Sequence, residues 1–356
     1  MIGAGCATEH AEACIENLVN TWKVPFITSS MGRGVVPDSS EYCANAARSL
    51  ALSKADVVLV LGSPLNWQLH FGEPPKWSKH AMFILADSYI TPRDKKVAHI
   101  SLEGPIATSV NHIMDAEIKC QDWKDEIRAK VRIAKEKLEA KLSSTAHPLD
   151  YKTTLRVIRM QINAINPAPI VVSEGANTMD QARILLEPVD TPRCRLDAGA
   201  WGTMGIGPGC AIAAATTTGR NVVAVEGDSA FGFSGMEIET ICRYNLPITI
   251  VVFNNGGIYG GDRRPDAVRE AAHAGLESAG FPNDPAPTSF VPQGRYDMLA
   301  IAFGGDGYNV STAAELETAL SQSLISKRPS IINVAIDPSA GVESGTVHSF
   351  NAPKKS

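Results

Sequence analysis

The chain has 356 residues, 44% of them apolar, with a formal net charge of -5 and a pI near 5.9. At roughly 150 residues per domain this length predicts two domains, and the acidic balance leaves no basic footprint for nucleic acid. No apolar run reaches the roughly eighteen residues a membrane span needs, and Met1-Ile2-Gly3-Ala4-Gly5 has neither the charged nor the apolar region of a signal peptide. Seven cysteines are scattered without a Cys-x-x-Cys pair and read as reduced thiols, and eight histidines show no metal spacing.

Residues 1–118 alternate strand and helix signals. Thr8 is placed to cap a helix running to Trp22. Val24-Pro25-Phe26-Ile27 is strand-like, and the apolar runs 56–62 and 81–87 fit strands covered by helices on both faces. Gly3-Ala4-Gly5 looks like the turn after a first strand, yet only two residues precede it. A Rossmann-like domain is not expected to start there, so the chain reads as the later part of a longer one. No third glycine follows in register, so a dinucleotide fingerprint fails.

From 121 to 144 the character changes to mixed charge, with Ile127, Val131 and Leu138 at helical spacing. This predicts a solvated helix joining two domains, with a boundary near 145. Beyond it, strand-like runs fall at 170–173, 222–225, 248–253 and 331–335, and helical segments follow the first three. The fold class predicted is α/β, with two doubly wound parallel-sheet domains. They are expected at 1–120 and 149–340, with a charged linker at 121–148 and a tail at 341–356. The stretch 260–295 is rich in Gly, Pro, Asp and Ala and reads as a long functional loop.

Two of these strands end in small, oxygen-rich turns. Val225-Glu226-Gly227-Asp228-Ser229-Ala230 leads through a helical stretch to Phe253-Asn254-Asn255-Gly256-Gly257. In an open parallel sheet, ligands sit at the carboxyl ends of the strands. A hard cation such as Mg²⁺ takes oxygen ligands and brings phosphate with it. Asp228 offers a carboxylate, Asn255 an amide oxygen and the Gly256-Gly257 turn a main-chain carbonyl. The same residues also suit a helix cap followed by a plain turn. Glu174-Gly175-Ala176-Asn177-Thr178 opens another helix after a strand, either as an anion site or as a simple cap. Trp201-Gly202-Thr203-Met204-Gly205-Ile206-Gly207 is a glycine-dense turn that lets a ring approach backbone, or packs a helix tightly.

Together with Arg195-Leu196-Asp197, Cys242-Arg243-Tyr244-Asn245-Leu246-Pro247 and Gly256-Gly257-Ile258-Tyr259, these segments resemble the thiamine diphosphate enzymes. The branch they resemble is that of 2-hydroxyacyl-CoA lyase and oxalyl-CoA decarboxylase. Residues 1–118 are similar to that family's central domain and 150–340 to its diphosphate-binding domain. The resemblance implies thiamine diphosphate held through Mg²⁺ by Asp228, Asn255 and the Gly257 carbonyl. It implies that the Gly202 carbonyl meets the exocyclic nitrogen of the aminopyrimidine and that Met204 wedges between the two rings. Asn177, Ser229 and Ala230 would meet the diphosphate, with Thr178, Thr203, Gly227 and Ile258 completing the cofactor contacts. Tyr259, another cofactor contact, and Ser344 match catalytic positions near the thiazolium, where acyl-CoA intermediates are hydrogen-bonded. Ser30-Met31-Gly32-Arg33-Gly34 and Asp150-Tyr151 fall where the family binds CoA.

The activity implied is a carbon–carbon lyase that cleaves 2-hydroxyacyl-CoA to formyl-CoA and a shortened aldehyde, within fatty-acid α-oxidation. Oxalyl-CoA decarboxylase, giving formyl-CoA and CO₂, shares every motif, and Gly256-Gly257-Ile258-Tyr259 leans towards it. A third reading is a non-catalytic fragment or regulatory subunit. The family's N-terminal pyrimidine-binding domain, which carries its catalytic Glu, has no counterpart here, so this chain alone is expected to bind the cofactor poorly and not to turn over. Thr346 stands where relatives carry a basic residue. The implied partners are an acyl-CoA substrate and further copies, as homodimer or homotetramer in the full-length form, without nucleic acid or membrane. The implied location is peroxisome or cytoplasm, although Pro353-Lys354-Lys355-Ser356 is not a peroxisomal Ser-Lys-Leu signal.

Overall fold

A computed structural model describes residues 1–116, 124–143, 145–186, 189–258, 288–291 and 293–340. The chain divides into two compact units, one formed by 1–141 with 187–201 and the other by 142–186 with the residues from 202 onward.

The first unit is built on three parallel strands in the order β1 (Val57–Leu61), β2 (Met82–Asp87), β3 (Ile100–Glu103). Side chains alternate across a strand, so the sheet feeds two apolar clusters. Val58, Val60, Phe83 and Leu85 join Leu52, Trp77 and Ile127 in one. Leu61 and Ala86 join Ile15, Phe26 and Ile106 in the other. The expected runs at 56–62 and 81–87 are β1 and β2; β3 was not anticipated, because Ile100 and Leu102 alternate with polar residues over only four positions.

Three local expectations are corrected. Thr8 does not cap the helix through Trp22; it ends a first helix (Ala4–Thr8), where its hydroxyl donates to the Ala4 carbonyl at 3.1 Å. His10, at φ 55, turns the chain before the helix Glu12–Trp22 begins. Val24–Ile27 is no strand: Phe26 makes an isolated bridge to Cys43, and Pro25 has no N–H for a ladder. The helix Lys124–Leu142 is more than a solvated connection. Ile127 is buried in the first unit's core with Val131 against it, while Lys54–Glu126 and Arg128–Glu41 ion pairs fix its flank.

The chain also returns to this unit at 187–201, which a contiguous two-domain reading does not foresee. Side-chain hydrogen bonds hold it there. Asp38 accepts from the Val189 amide at 3.1 Å, Asp190 accepts from the Ser39 amide at 2.9 Å, and the Trp67 indole donates to the Ala200 carbonyl at 2.6 Å. A three-residue strand, β5 (Arg195–Asp197), lies in this segment.

In the second unit, β4 (Ile170–Glu174), β6 (Val222–Gly227), β7 (Ile248–Asn254), β8 (Asp306–Val310) and β9 (Ser330–Ala335) run in the order β4-β6-β7-β9-β8, every pair parallel. Each residue of β4 and β7 is buried, as continuous Val/Ile runs require when helices cover both faces. Helices Tyr151–Asn163, Ala176–Leu185, Gly207–Thr218 and Ala313–Ser326 flank the strands. The last carries a reciprocal capping box between Thr312 and Glu315. The α/β class with parallel sheets is the one expected. Among the described residues no helix is long and apolar enough to cross a membrane.

Candidate active site at the carboxyl ends of β4, β6 and β7

β4 ends on Glu174, β6 on Gly227 and β7 on Asn254, so three adjacent parallel strands deliver their last residues to one edge. Asp228 follows β6 directly and is only 2% exposed. Its Oδ1 accepts from the Ser229 amide at 2.7 Å, and its Oδ2 accepts from the amides of Gly256 at 2.9 Å and Gly257 at 3.1 Å. These bonds tie the turn after β6 to the turn after β7. The turn needs its glycines: Gly256 sits at φ 76, and a Cβ on Gly257 would lie 2.4 Å from the Thr288 carbonyl oxygen.

Asn255 is buried beside Asp228, and its Oδ1 accepts from the Gly257 amide at 3.3 Å. The Gly256 carbonyl accepts from Phe290 and the Ile258 amide donates to Thr288, which leaves the Gly257 carbonyl outside that pairing. Asn254 is occupied differently, donating to the Gly294 carbonyl and to Asn333 Oδ1. Of the two neighbouring asparagines, Asn255 is the one beside the carboxylate.

Burial pushes the Asp228 carboxyl up to about 7, against the pull of the amides of residues 229, 257, 256 and 255. A carboxylate disfavoured by burial, next to an amide oxygen and a main-chain carbonyl, is an all-oxygen donor set suited to a hard divalent cation. No cluster of three or more His, Cys, Asp or Glu forms a metal site among the described residues. A cation here would complete its shell with neutral protein oxygens and phosphate.

The helix Ala176–Leu185 opens against the same turn. Thr178 is 2% exposed, and its Oγ1 lies 3.2 Å from where a Gly227 Cβ would stand. The Tyr151 hydroxyl meets the Thr178 side chain, and its ring stacks on Phe253 of β7 at 5.5 Å. Burial raises that phenol to about 12. Asn177 is half-buried at the helix start, Ser229 is half-buried and Ala230 is buried. Thr178 thus borders Gly227, and Asp228 the Asn255–Gly257 turn.

The Gly202–Gly207 turn reaches the same edge through carboxylates. The Glu174 side chain accepts from the Gly205 and Gly207 amides. Thr203 and Met204 are exposed on this turn, and Phe233 beyond it is 72% exposed. Glu226 stands beside Glu174 in the β4–β6 register, and both are 0% exposed. Among the described residues, no donor reaches either Glu226 oxygen. Burial, and then the Glu174 charge beside it, push the Glu226 carboxyl well above its ordinary value.

Sequence reasoning missed Tyr151 as a support of Thr178, placing it among CoA contacts, and missed both glutamates. The signal for the glutamates was present. β4 and β6 both close on Glu-Gly after an apolar run, and two buried acids at the same strand position must face each other. Tyr259 and Ser344, the expected catalytic positions, lie outside the described residues.

Comparison with known proteins matches residues 174–334 to the thiamine pyrophosphate enzyme C-terminal TPP binding domain and residues 1–113 to the thiamine pyrophosphate enzyme central domain. A 2-hydroxyacyl-CoA lyase of Oryza sativa is 49% identical over 99% of this chain and 61% of its own length. An oxalyl-CoA decarboxylase of Escherichia coli is 42% identical over 100% of the chain and 61% of its own length. The human 2-hydroxyacyl-CoA lyase 1 is 41% identical over 96% and 60%. The chain spans about three fifths of the length of these relatives.

Proposed function

We propose, for a chain that belongs to the thiamine pyrophosphate enzymes, that it holds thiamine diphosphate through Mg²⁺ at Asp228, Asn255 and the Gly257 carbonyl and serves carbon–carbon cleavage of 2-hydroxyacyl-CoA to formyl-CoA and an aldehyde one carbon shorter. The observation that carries this reading is the Asp228 carboxylate, buried and clamped by the amides of Gly256 and Gly257 at the strand ends. When bound, the cofactor supplies a thiazolium carbon that attacks carbonyls and accepts the electrons of the broken bond.

The chain's own residues bind and orient. Asp228 supplies the one charge on the cation. The start of the helix at Asn177 and Thr178, with Ser229 and Ala230, offers main-chain and side-chain donors to the diphosphate. Gly202, Thr203, Met204 and Ile258 would complete the contacts to the cofactor. Tyr259 and Ser344 carry the hydrogen bonds to the acyl-CoA carbonyl.

The lyase reading is favoured over the decarboxylase by the higher identity to the rice protein, 49% against 42% for the bacterial one. Decarboxylation of oxalyl-CoA is the second reading, kept by that 42% and by Gly256-Gly257-Ile258-Tyr259. The lyase reading brings fatty-acid α-oxidation and a peroxisomal location, the decarboxylase reading a cytoplasmic one, and both bring a symmetric homo-oligomer. The test is formyl-CoA production from 2-hydroxyoctadecanoyl-CoA against oxalyl-CoA, with thiamine diphosphate and Mg²⁺. It is run on this chain and on a form extended upstream in its gene. Formyl-CoA from the long-chain substrate with its aldehyde is expected; formyl-CoA from oxalyl-CoA alone selects the decarboxylase, and neither product rejects both.

A further inference from the structure

We infer that Glu174 is a positioning residue that sets the Gly202–Gly207 turn against the cofactor's rings, acting through the main-chain amides of Gly205 and Gly207. This deepens the thiamine diphosphate reading and rests on it. The glutamate does not point at the diphosphate cradle. Its carboxylate accepts two amide hydrogens from a turn that is remote in sequence and carries Gly202, Thr203 and Met204. A carboxylate is the group to do this, because it has two acceptor oxygens and no donor.

The neighbouring β6 strand holds the arrangement from behind. Glu226 occupies the paired position, is fully buried, and has no donor on either oxygen among the described residues. Gly207 is seated on both acids: a Cβ there would lie 2.1 Å from Glu226 Oε1 and 2.6 Å from Glu174 Oε2. The turn is therefore registered to β4 and β6 by one carboxylate and by the absence of one methyl group. The metal side of the site is registered separately, by the amides on Asp228.

That separation supplies the test. Mg²⁺ with inorganic pyrophosphate probes the Asp228 side alone, whereas Mg²⁺ with thiamine diphosphate needs the turn as well. Glu174→Gln replaces one acceptor oxygen by an NH₂ that opposes the amide donors. In the full chain it is expected to speed amide exchange within 202–207 about tenfold while leaving exchange in 248–254 unchanged. In a form extended upstream in its gene it is expected to weaken thiamine diphosphate about tenfold and pyrophosphate less than about twofold, measured by calorimetry. Gly207→Ala reaches the same contact from the turn side, is expected to give the same split, and stands in if Glu174→Gln does not fold. Unchanged exchange at 202–207 in both variants, or equal loss of both ligands, overturns the role of Glu174. A form extended upstream in its gene that binds pyrophosphate but not thiamine diphosphate rejects the cofactor reading instead, and the exchange arm then still decides whether Glu174 holds the turn.

Discussion

Both units are parallel α/β sheets, yet they use buried acids differently. In the first, the buried acid Asp38, away from any strand end, is spent on the fold: it pairs with Arg33 and accepts from Asn45 and the Val189 amide. In the second, Glu174, Glu226, Asp228, Asn254 and Asn255 are all under a tenth exposed and crowd one edge of the sheet. All three of these carboxyls, Glu174, Glu226 and Asp228, are pushed up by burial. Burying charge without a partner is expensive, and such groups concentrate where a ligand offsets the cost. Architecture alone therefore does not mark a binding unit; the chemistry at the carboxyl rim does.

The sharpest break of this comparison is Asp228→Asn. It keeps shape and removes the charge, and it should weaken Mg²⁺-dependent thiamine diphosphate binding about 100-fold, on the order of 3 kcal/mol, by calorimetry. A loss below about threefold would refute the metal assignment. The same carboxyl makes metal-free stability depend on pH. Its folded value of about 7 lies above the 3.8 of an unperturbed carboxyl. Between those values the folded state holds a proton that the unfolded chain has released. The contribution is then fully present below about pH 4 and lost as pH rises to about 7. Urea midpoints with chelator should fall from about pH 5 to about pH 8 by an amount that Asp228→Asn abolishes and Mg²⁺ reverses.

Ile127→Ala tests the other unit. If the helix Lys124–Leu142 is part of the first core, the change should cost about 3 kcal/mol in chemical unfolding, with pyrophosphate affinity unchanged. A surface change on the same helix, Lys130→Ala, should stay within about 0.5 kcal/mol. Equal, small effects would restore the solvated-connection view. The smallest effect expected is that of Tyr151→Phe. It removes the hydroxyl from Thr178 at about 1 kcal/mol of stability and loosens the helix start that borders the diphosphate by a few-fold in affinity. No change in either would separate Tyr151 from the site.

Much of the candidate site was legible from residue order, because short-range chemistry writes it there. Two Val/Ile runs that end in Gly-Asp-Ser and Asn-Asn-Gly-Gly specify strands buried on both faces and turns that only glycine allows. A parallel sheet then brings such turns to one edge. The reading of Asn255 rather than Asn254 as the amide donor was already made from the sequence, and the turn places it beside the carboxylate. The facing of the two glutamates was signalled by two strands that each close on Glu-Gly, but it was drawn only once the strand pairing was known.

The sequence by itself determined the class of the fold, the strands β1, β2, β4, β6, β7 and β9, and the residue types that can hold a diphosphate and its metal, because period and composition are local properties of the chain. Only the tertiary structure decided that 187–201 belongs with the first unit, that the charged helix buries Ile127 in the first unit's core, and that Glu174 grips a turn some thirty residues away. Those outcomes depend on hydrogen bonds and burial between segments distant in sequence, which no window of neighbouring residues contains.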